Sequence, residues 1–177
     1  MKQLFLTTLA FLVFASGFAQ TTPEPASIVL ASAKEQAGRE KKNIILIFHA
    51  SWCGWCHKMD SSLNDPKVKK YFQDNYVFRH LVVNEFKDKK KLENPGAQEM
   101  MEQFGGTSTE GIPYWAVLDA KGNLLADSRI DSQPGKNSGC PAKKEEVDYF
   151  IKVLQKTSKL DANALDVIGK RFRENEL

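Results

Sequence analysis

Cys53-Gly54-Trp55-Cys56 follows closely on an apolar, β-branched run, Asn43-Ile44-Ile45-Leu46-Ile47-Phe48, and leads into a polar stretch of helical character. This order constrains the chain more than any other feature in it. Apolar residues without alternation suit a strand covered on both faces, so 43–49 reads as a buried central strand. The tetrad then falls on the first turn of a helix. Unpaired backbone N–H groups and the helix dipole stabilise a thiolate there. Two thiols so placed can close into a small disulfide ring, and a thiolate is the nucleophile of thiol–disulfide exchange. A bridge closing so short a loop adds little stability, because the entropic gain grows with loop length. The pair therefore reads as reactive rather than as a staple.

The N-terminus carries a different signal. Lys2, the apolar run from Leu4 to Ala15 and the closing Ser16-Gly17-Phe18-Ala19 have the layout of a secretory signal peptide. Cleavage is expected after Ala19, leaving Gln20 as the new N-terminus of a periplasmic or secreted protein. The apolar run is shorter than the roughly 20 residues of a spanning helix. Export puts Cys53, Cys56 and Cys140 in a compartment where disulfides persist. The 177 residues carry a formal net charge of only +3. Phosphate binding needs clustered cations, so nucleic acid is not expected as a partner. The densest basic run, Lys87-Asp88-Lys89-Lys90-Lys91, reads as solvated surface.

The rest of the chain alternates helices and strands. Residues 20–26 form a leader, and Ser27–Lys42 reads as a helix with Ile28, Val29, Ala31, Ala33 and Ala37 on its apolar side. The tetrad helix runs through Met59. Asp65 and Pro66 signal a new helix, with Asp65 as N-cap and Val68, Tyr71 and Phe72 turned inward. Strands are expected over Tyr76–Val83, Pro113–Leu118 and Leu124–Asp127, with a turn at Lys121-Gly122-Asn123. Phe86–Asn94 is a charged connection, Ala97–Phe104 a short helix stopped by Gly105-Gly106, and Ile130–Gly139 a loop. Pro141 opens an amphipathic helix with Val147, Phe150, Ile151 and Leu154 inside, and Asp161–Arg171 is a last helix. The expected division is a signal peptide over 1–19, a leader over 20–26, a domain over 27–160 and a helical tail over 161–177.

With the tetrad between strand and helix, the chain resembles the thioredoxin superfamily. The resemblance rests on Phe48-His49-Ala50-Ser51-Trp52-Cys53-Gly54-Trp55-Cys56, on Gly111-Ile112-Pro113-Tyr114 and on the hairpin Asp119-Ala120-Lys121-Gly122-Asn123. It extends over roughly 43–157 and is strongest with exported bacterial thioredoxin-like proteins bearing Trp-Cys-Gly-Trp-Cys. It implies an α/β thioredoxin fold: a central mixed β-sheet flanked by helices, with an N-terminal helix and a C-terminal helical extension. It also implies roles. Cys53 is the exposed nucleophile, Cys56 resolves the mixed disulfide, and Trp52 shields one side of the sulfurs. Pro113 is the family's cis-proline, exposing the Ile112 backbone to an extended substrate. Gly54 and Trp55 form the inner dipeptide, a position that tunes redox potential across the family. No cofactor is implied.

Two departures stand out. Thioredoxins often bury an acid six positions before the first cysteine, and here that position is Ile47. His49, two residues on along the same strand face, is the candidate substitute base or thiolate stabiliser. Trp55 replaces the usual proline. Cys140, before Pro141 and near a helix N-cap where a thiol pKa can fall, reads first as a partly buried free thiol, with a third redox participant or a link to another chain as alternatives. The function expected is thiol–disulfide oxidoreductase of the cell envelope, acting on protein disulfides or thiols, with reduction favoured and a membrane redox partner. Two alternatives stay open. One is a zinc or copper module using Cys53, Cys56, Cys140 and His49 or His57. The other is a non-catalytic chaperone domain on the same fold.

Overall fold

Strand β1, Asn43–His49, is buried from Ile44 to Phe48 and lies inside a four-stranded mixed sheet. The structure, a computed structural model, describes residues 22–176; the expected signal peptide falls outside the described residues. The strand order is β2-β1-β3-β4, with β2 at Tyr76–Val82, β3 at Tyr114–Leu118 and β4 at Leu124–Asp127. β1 is parallel to β2 and antiparallel to β3. A parallel pair needs a crossover connection, made here by helices α2, Gly54–Leu63, and α3, Lys69–Asn75. That crossover puts the N-terminus of α2 at the carboxyl end of β1, where open α/β sheets place their sites.

Alternation along β1 divides the core in two. Ile44, Leu46 and Phe48 share a buried cluster with Val29, Ala33 and Ala37 of α1 (Ala26–Glu40) and with Met100 and Met101 of α4 (Ala97–Gln103). Ile45 and Ile47 face the other way. They join Met59 of α2, Phe72 of α3, Trp115 of β3, Phe150 of α5 (Lys144–Thr157) and Phe172 of α6 (Ala162–Arg173). Phe150 and Phe172 pack with ring centroids 4.9 Å apart. The segment expected as a tail thus contributes Leu165, Ile168 and Phe172 to the main core. Asp161 caps α6, its Oδ1 accepting from the Ala164 N–H at 2.8 Å. This is the expected thioredoxin fold: a mixed sheet between an N-terminal helix and C-terminal helices.

Of the boundaries that differ from the sequence expectation, three have a clear local reason. α1 stops at Glu40 because Lys41 turns left-handed (φ +56°). α3 begins at Lys69 rather than at Pro66. Asp65 spends its side chain on an Asx turn to the Lys67 N–H, and residues 66–68 form turns. α5 begins at Lys144, because Lys143 stays extended and Glu146 reaches back to the N–H groups of Ala142 and Lys143.

Candidate active site

Cys53 is the N-cap of α2, and its sulfur accepts from the Cys56 N–H at 3.1 Å. The two cysteines form a disulfide with an S–S distance of 2.07 Å. An N–H aimed at sulfur favours the thiolate on Cys53 once the bond opens. The expectation of an exposed Cys53 is not met in this disulfide form: Cys53 is 3% exposed and Cys56 1%. Both pack with Ala50 and Ile112. A Cβ on Gly54 would meet nothing within 4 Å, so the tetrad keeps an open face beside the sulfurs.

Strand register brings the proline segment to this point. Phe48 of β1 lies opposite Tyr114 of β3, so the residues just before Tyr114 reach the end of β1. The Ile112–Pro113 peptide is cis, and the Ile112 carbonyl oxygen lies 3.5 Å from Cys53 Sγ. Asn137 anchors the segment from the far side, its Nδ2 donating to the carbonyls of Gly111 (3.0 Å) and Pro113 (3.1 Å). Trp115 Nε1 donates to the Gly139 carbonyl at 2.9 Å. The stretch 130–139, expected only as a loop, therefore braces the proline. Between it and Trp55 runs an open groove of about 450 Å³, lined also by Glu110, Ile112, Pro113 and Cys140.

Trp52, directly before Cys53, is held by the loop after β2. Its indole is 45% exposed, stacks on Phe86 with centroids 5.2 Å apart, and donates from Nε1 to the Asn84 carbonyl at 2.9 Å. Beneath it the buried Glu85 carboxylate accepts from the Ser51 N–H and, at 2.9 Å, from Ser51 Oγ. Asn84, Glu85 and Phe86 are the residues near the site that sequence reading missed. Phe86 marks the start of the charged connection there, and its burst of charge masks one buried acid. Trp55 is exposed on the other side, with Lys58 Nζ 5.0 Å from the ring centroid.

All three histidines gather on the α2 side of the sheet end. His49 meets His80 edge-on at 5.2 Å, and His80 Nε2 lies 2.8 Å from Asp60 Oδ1. His57 Nε2 donates to the Ser51 carbonyl at 3.0 Å. Burial, then the neighbouring His80, lowers the His49 pKa below its usual 6.5, against the pull of Asp60. Among the described residues no histidine hydrogen-bonds either sulfur. Ile47, at the position of the family's buried acid, is closed into the core. Cys140 is the free thiol expected, but it does not cap a helix, since Lys143 is the N-cap of α5. It is a free, buried cysteine in the core, contacted by Asn175 Nδ2 at 3.5 Å, and burial pushes its pKa up to about 12 rather than down. Among the described residues no group of three or more His, Cys, Asp or Glu side chains is arranged to hold a metal ion.

A family profile described as thioredoxin-like matches residues 26–120. No curated protein sequence matches the chain. Among solved structures, a disulphide isomerase from Xylella fastidiosa Temecula1 is similar at 18% identity and a TM-score of 0.47, covering 97% of this chain and all 100% of its own. A DsbH oxidoreductase is similar at 23% identity and a TM-score of 0.45, covering 90% of this chain and 95% of its own. The oxidised C-terminal domain of Neisseria meningitidis DsbD is similar at 19% identity and a TM-score of 0.43, covering 60% of this chain and 84% of its own.

Proposed function

The chain belongs to the thioredoxin-like family, and from that premise we propose that it is a thiol–disulfide oxidoreductase of the cell envelope, reducing protein disulfides through Cys53 and Cys56. The observation that carries this reading is the closed Cys53–Cys56 pair at the first turn of α2, with Cys53 Sγ beside the Ile112 carbonyl. In the reduced protein the Cys53 thiolate attacks one sulfur of a substrate disulfide. The other substrate sulfur leaves as a thiolate and takes up a proton. Cys56, deprotonated in turn, attacks Cys53 Sγ in the mixed disulfide, releasing the second substrate thiol and closing the 53–56 bond. Two electrons and two protons pass from the dithiol to the substrate. Ile112 and Pro113 offer backbone for strand-like pairing to an extended substrate, and Trp55 and Gly54 border the attacked sulfur.

The surroundings of the sulfurs support the reducing direction. Both are enclosed with Ala50 and Ile112, and desolvation penalises a thiolate but not an uncharged disulfide. A penalised thiolate raises the free energy of the reduced form and makes the couple reducing. One N–H bond from Cys56 opposes this. Envelope location rests on the N-terminal signal, Lys2 through Ala19. A reductase outside the cytoplasm needs electrons delivered to it, and a membrane-borne redox partner would supply them.

Equilibration of the pair against glutathione, with insulin reduction alongside, tests the reading. A potential more reducing than about −200 mV with insulin turnover is expected. Cys56→Ser should trap a mixed disulfide on Cys53. A potential near about −120 mV, with oxidation of reduced substrates, would reverse the direction. Absence of any exchange would remove the function.

A further inference from the structure

Among the described residues Phe86 is the most exposed large apolar side chain, at 57%. It stacks on Trp52, the residue before Cys53, and its segment is held in place. Four contacts fix its segment: Val83 N–H to the His49 carbonyl (2.8 Å), Trp52 Nε1 to the Asn84 carbonyl, Ser51 to the Glu85 carboxylate, and the Glu85 N–H to Glu93 Oε1 (2.7 Å). Asn84 adopts a left-handed backbone (φ +55°) to make the turn. Exposing two stacked rings to water is unfavourable, and the chain also commits a buried carboxylate to holding them. Rigid aromatic surface is what a docking face needs, because little side-chain entropy is lost when a partner covers it.

Charge says what covers it. The chain runs from Phe86 directly into the 3-10 helix Lys87–Leu92. Of its lysines only Lys90 has an acidic partner, Glu93 at 2.7 Å; among the described residues Lys87, Lys89 and Lys91 have none within 4.0 Å. Across the tetrad the groove beside Trp55 is lined instead by Glu110, Glu146 and Glu176, with Lys143. Asp88 lies within the same exposed run and Lys58 sits over Trp55, so the Phe86 flank keeps a cationic excess of Lys87, Lys89 and Lys91 over Asp88 against a mainly acidic groove.

We propose that the Trp52–Phe86 stack and Lys87, Lys89 and Lys91 dock polypeptides that carry an aromatic or aliphatic side chain next to the exchanging cysteine and acidic residues beyond it. The assignment rests on the redox reading above and adds the class of substrate. Opposed potentials steer such a partner and set the register in which its disulfide meets Cys53. The run of lysines is then part of the site rather than inert surface.

The test uses two synthetic peptides, each with one internal disulfide and one tryptophan beside it, flanked by aspartates in one and by lysines in the other. The reduced protein's kcat/KM is measured for both from about 20 mM to about 300 mM salt, over which the Debye length falls from about 20 Å to about 6 Å. The acidic peptide should be preferred by about fivefold or more at low salt, with the preference fading as salt rises. Lys87→Gln/Lys89→Gln/Lys91→Gln, all exposed positions, should abolish the preference. Phe86→Ala should lower kcat/KM for both peptides. Equal rates for the two peptides in wild type, or a preference that survives the triple substitution, overturns the docking face while leaving the redox reading intact. Failure of wild type to reduce either peptide or insulin overturns the redox reading itself. Binding of wild type to phosphatidylglycerol vesicles without any peptide preference reassigns the patch to a lipid surface and overturns the proposal.

Discussion

Glu85→Ala removes the one carboxylate that ties the segment before the disulfide to the loop after β2. Glu85 is 4% exposed and accepts two hydrogen bonds from one residue, Ser51, through its backbone N–H and its hydroxyl. A hydrogen bond to a charged group contributes about 1.5–3 kcal/mol net. Alanine forfeits both and leaves the Ser51 N–H to find water, while relieving the burial of a carboxylate. The balance is a loss of about 2–3 kcal/mol. Glu85→Gln separates charge from connectivity, because a carboxamide still offers an oxygen to the N–H and an amide donor to the hydroxyl. Its loss should stay near or below about 1 kcal/mol. Urea denaturation of the oxidised proteins measures both. With a slope of about 2 kcal/mol per M, the alanine variant should shift its midpoint by about 1 M or more and the glutamine variant by less than half of that. Equal midpoints for alanine and wild type would refute the idea that this contact holds the loop. Equal shifts for alanine and glutamine would show that the charge, not the hydrogen-bond geometry, is what matters.

Two further outcomes follow from groups flanking the site. The lowered His49 pKa means that the unfolded chain takes up a proton at a higher pH than the folded one. Stability should therefore be independent of this group above about pH 6.5, fall as pH drops through the interval between 6.5 and the lowered value, and level off below it; His49→Gln should remove that component from pH-dependent urea midpoints. Cys140, buried with its thiol pushed up to about 12, should resist iodoacetamide in the native oxidised protein at pH 8 and react fully in denaturant. Native alkylation at a free-thiol rate would contradict the burial.

The parts of the fold that were readable are those where a short stretch of sequence carries its own evidence. β1 announced itself through five consecutive buried apolar residues, Ile44 to Phe48, because a strand covered on both faces has no polar side to alternate with. α5 was readable from the spacing of Val147, Phe150 and Leu154, all of which are buried. The starts of α3 and α5 were misread for one shared reason. Pro66 and Pro141 both look like first helical residues, yet each sits in a turn or extended stretch governed by a neighbouring side chain, Asp65 in one case and Glu146 in the other. Proline's fixed φ permits a helix start without requiring one.

The site divides along the same line. The two sulfurs and their helix could be found from the tetrad alone, but their environment is assembled by register. Phe48 opposite Tyr114 sets where Ile112 falls; His49 opposite Val82 sets where Asn84, Glu85 and Phe86 emerge. A residue placed by register has no local signature, so Glu85 looked like one more charge ahead of a lysine run, and Cys140, readable as a partly buried free thiol, gave no sign of the core cluster it joins. The consequence is physical as well as interpretive. The enclosure of the sulfurs comes from Ala50 and Ile112, and the carbonyls on either side of Ile112 are held by Asn137 across the proline segment. Half of that enclosure is therefore local, from Ala50 just before the tetrad, and half is brought from the β3 side by Ile112, far from the tetrad in sequence.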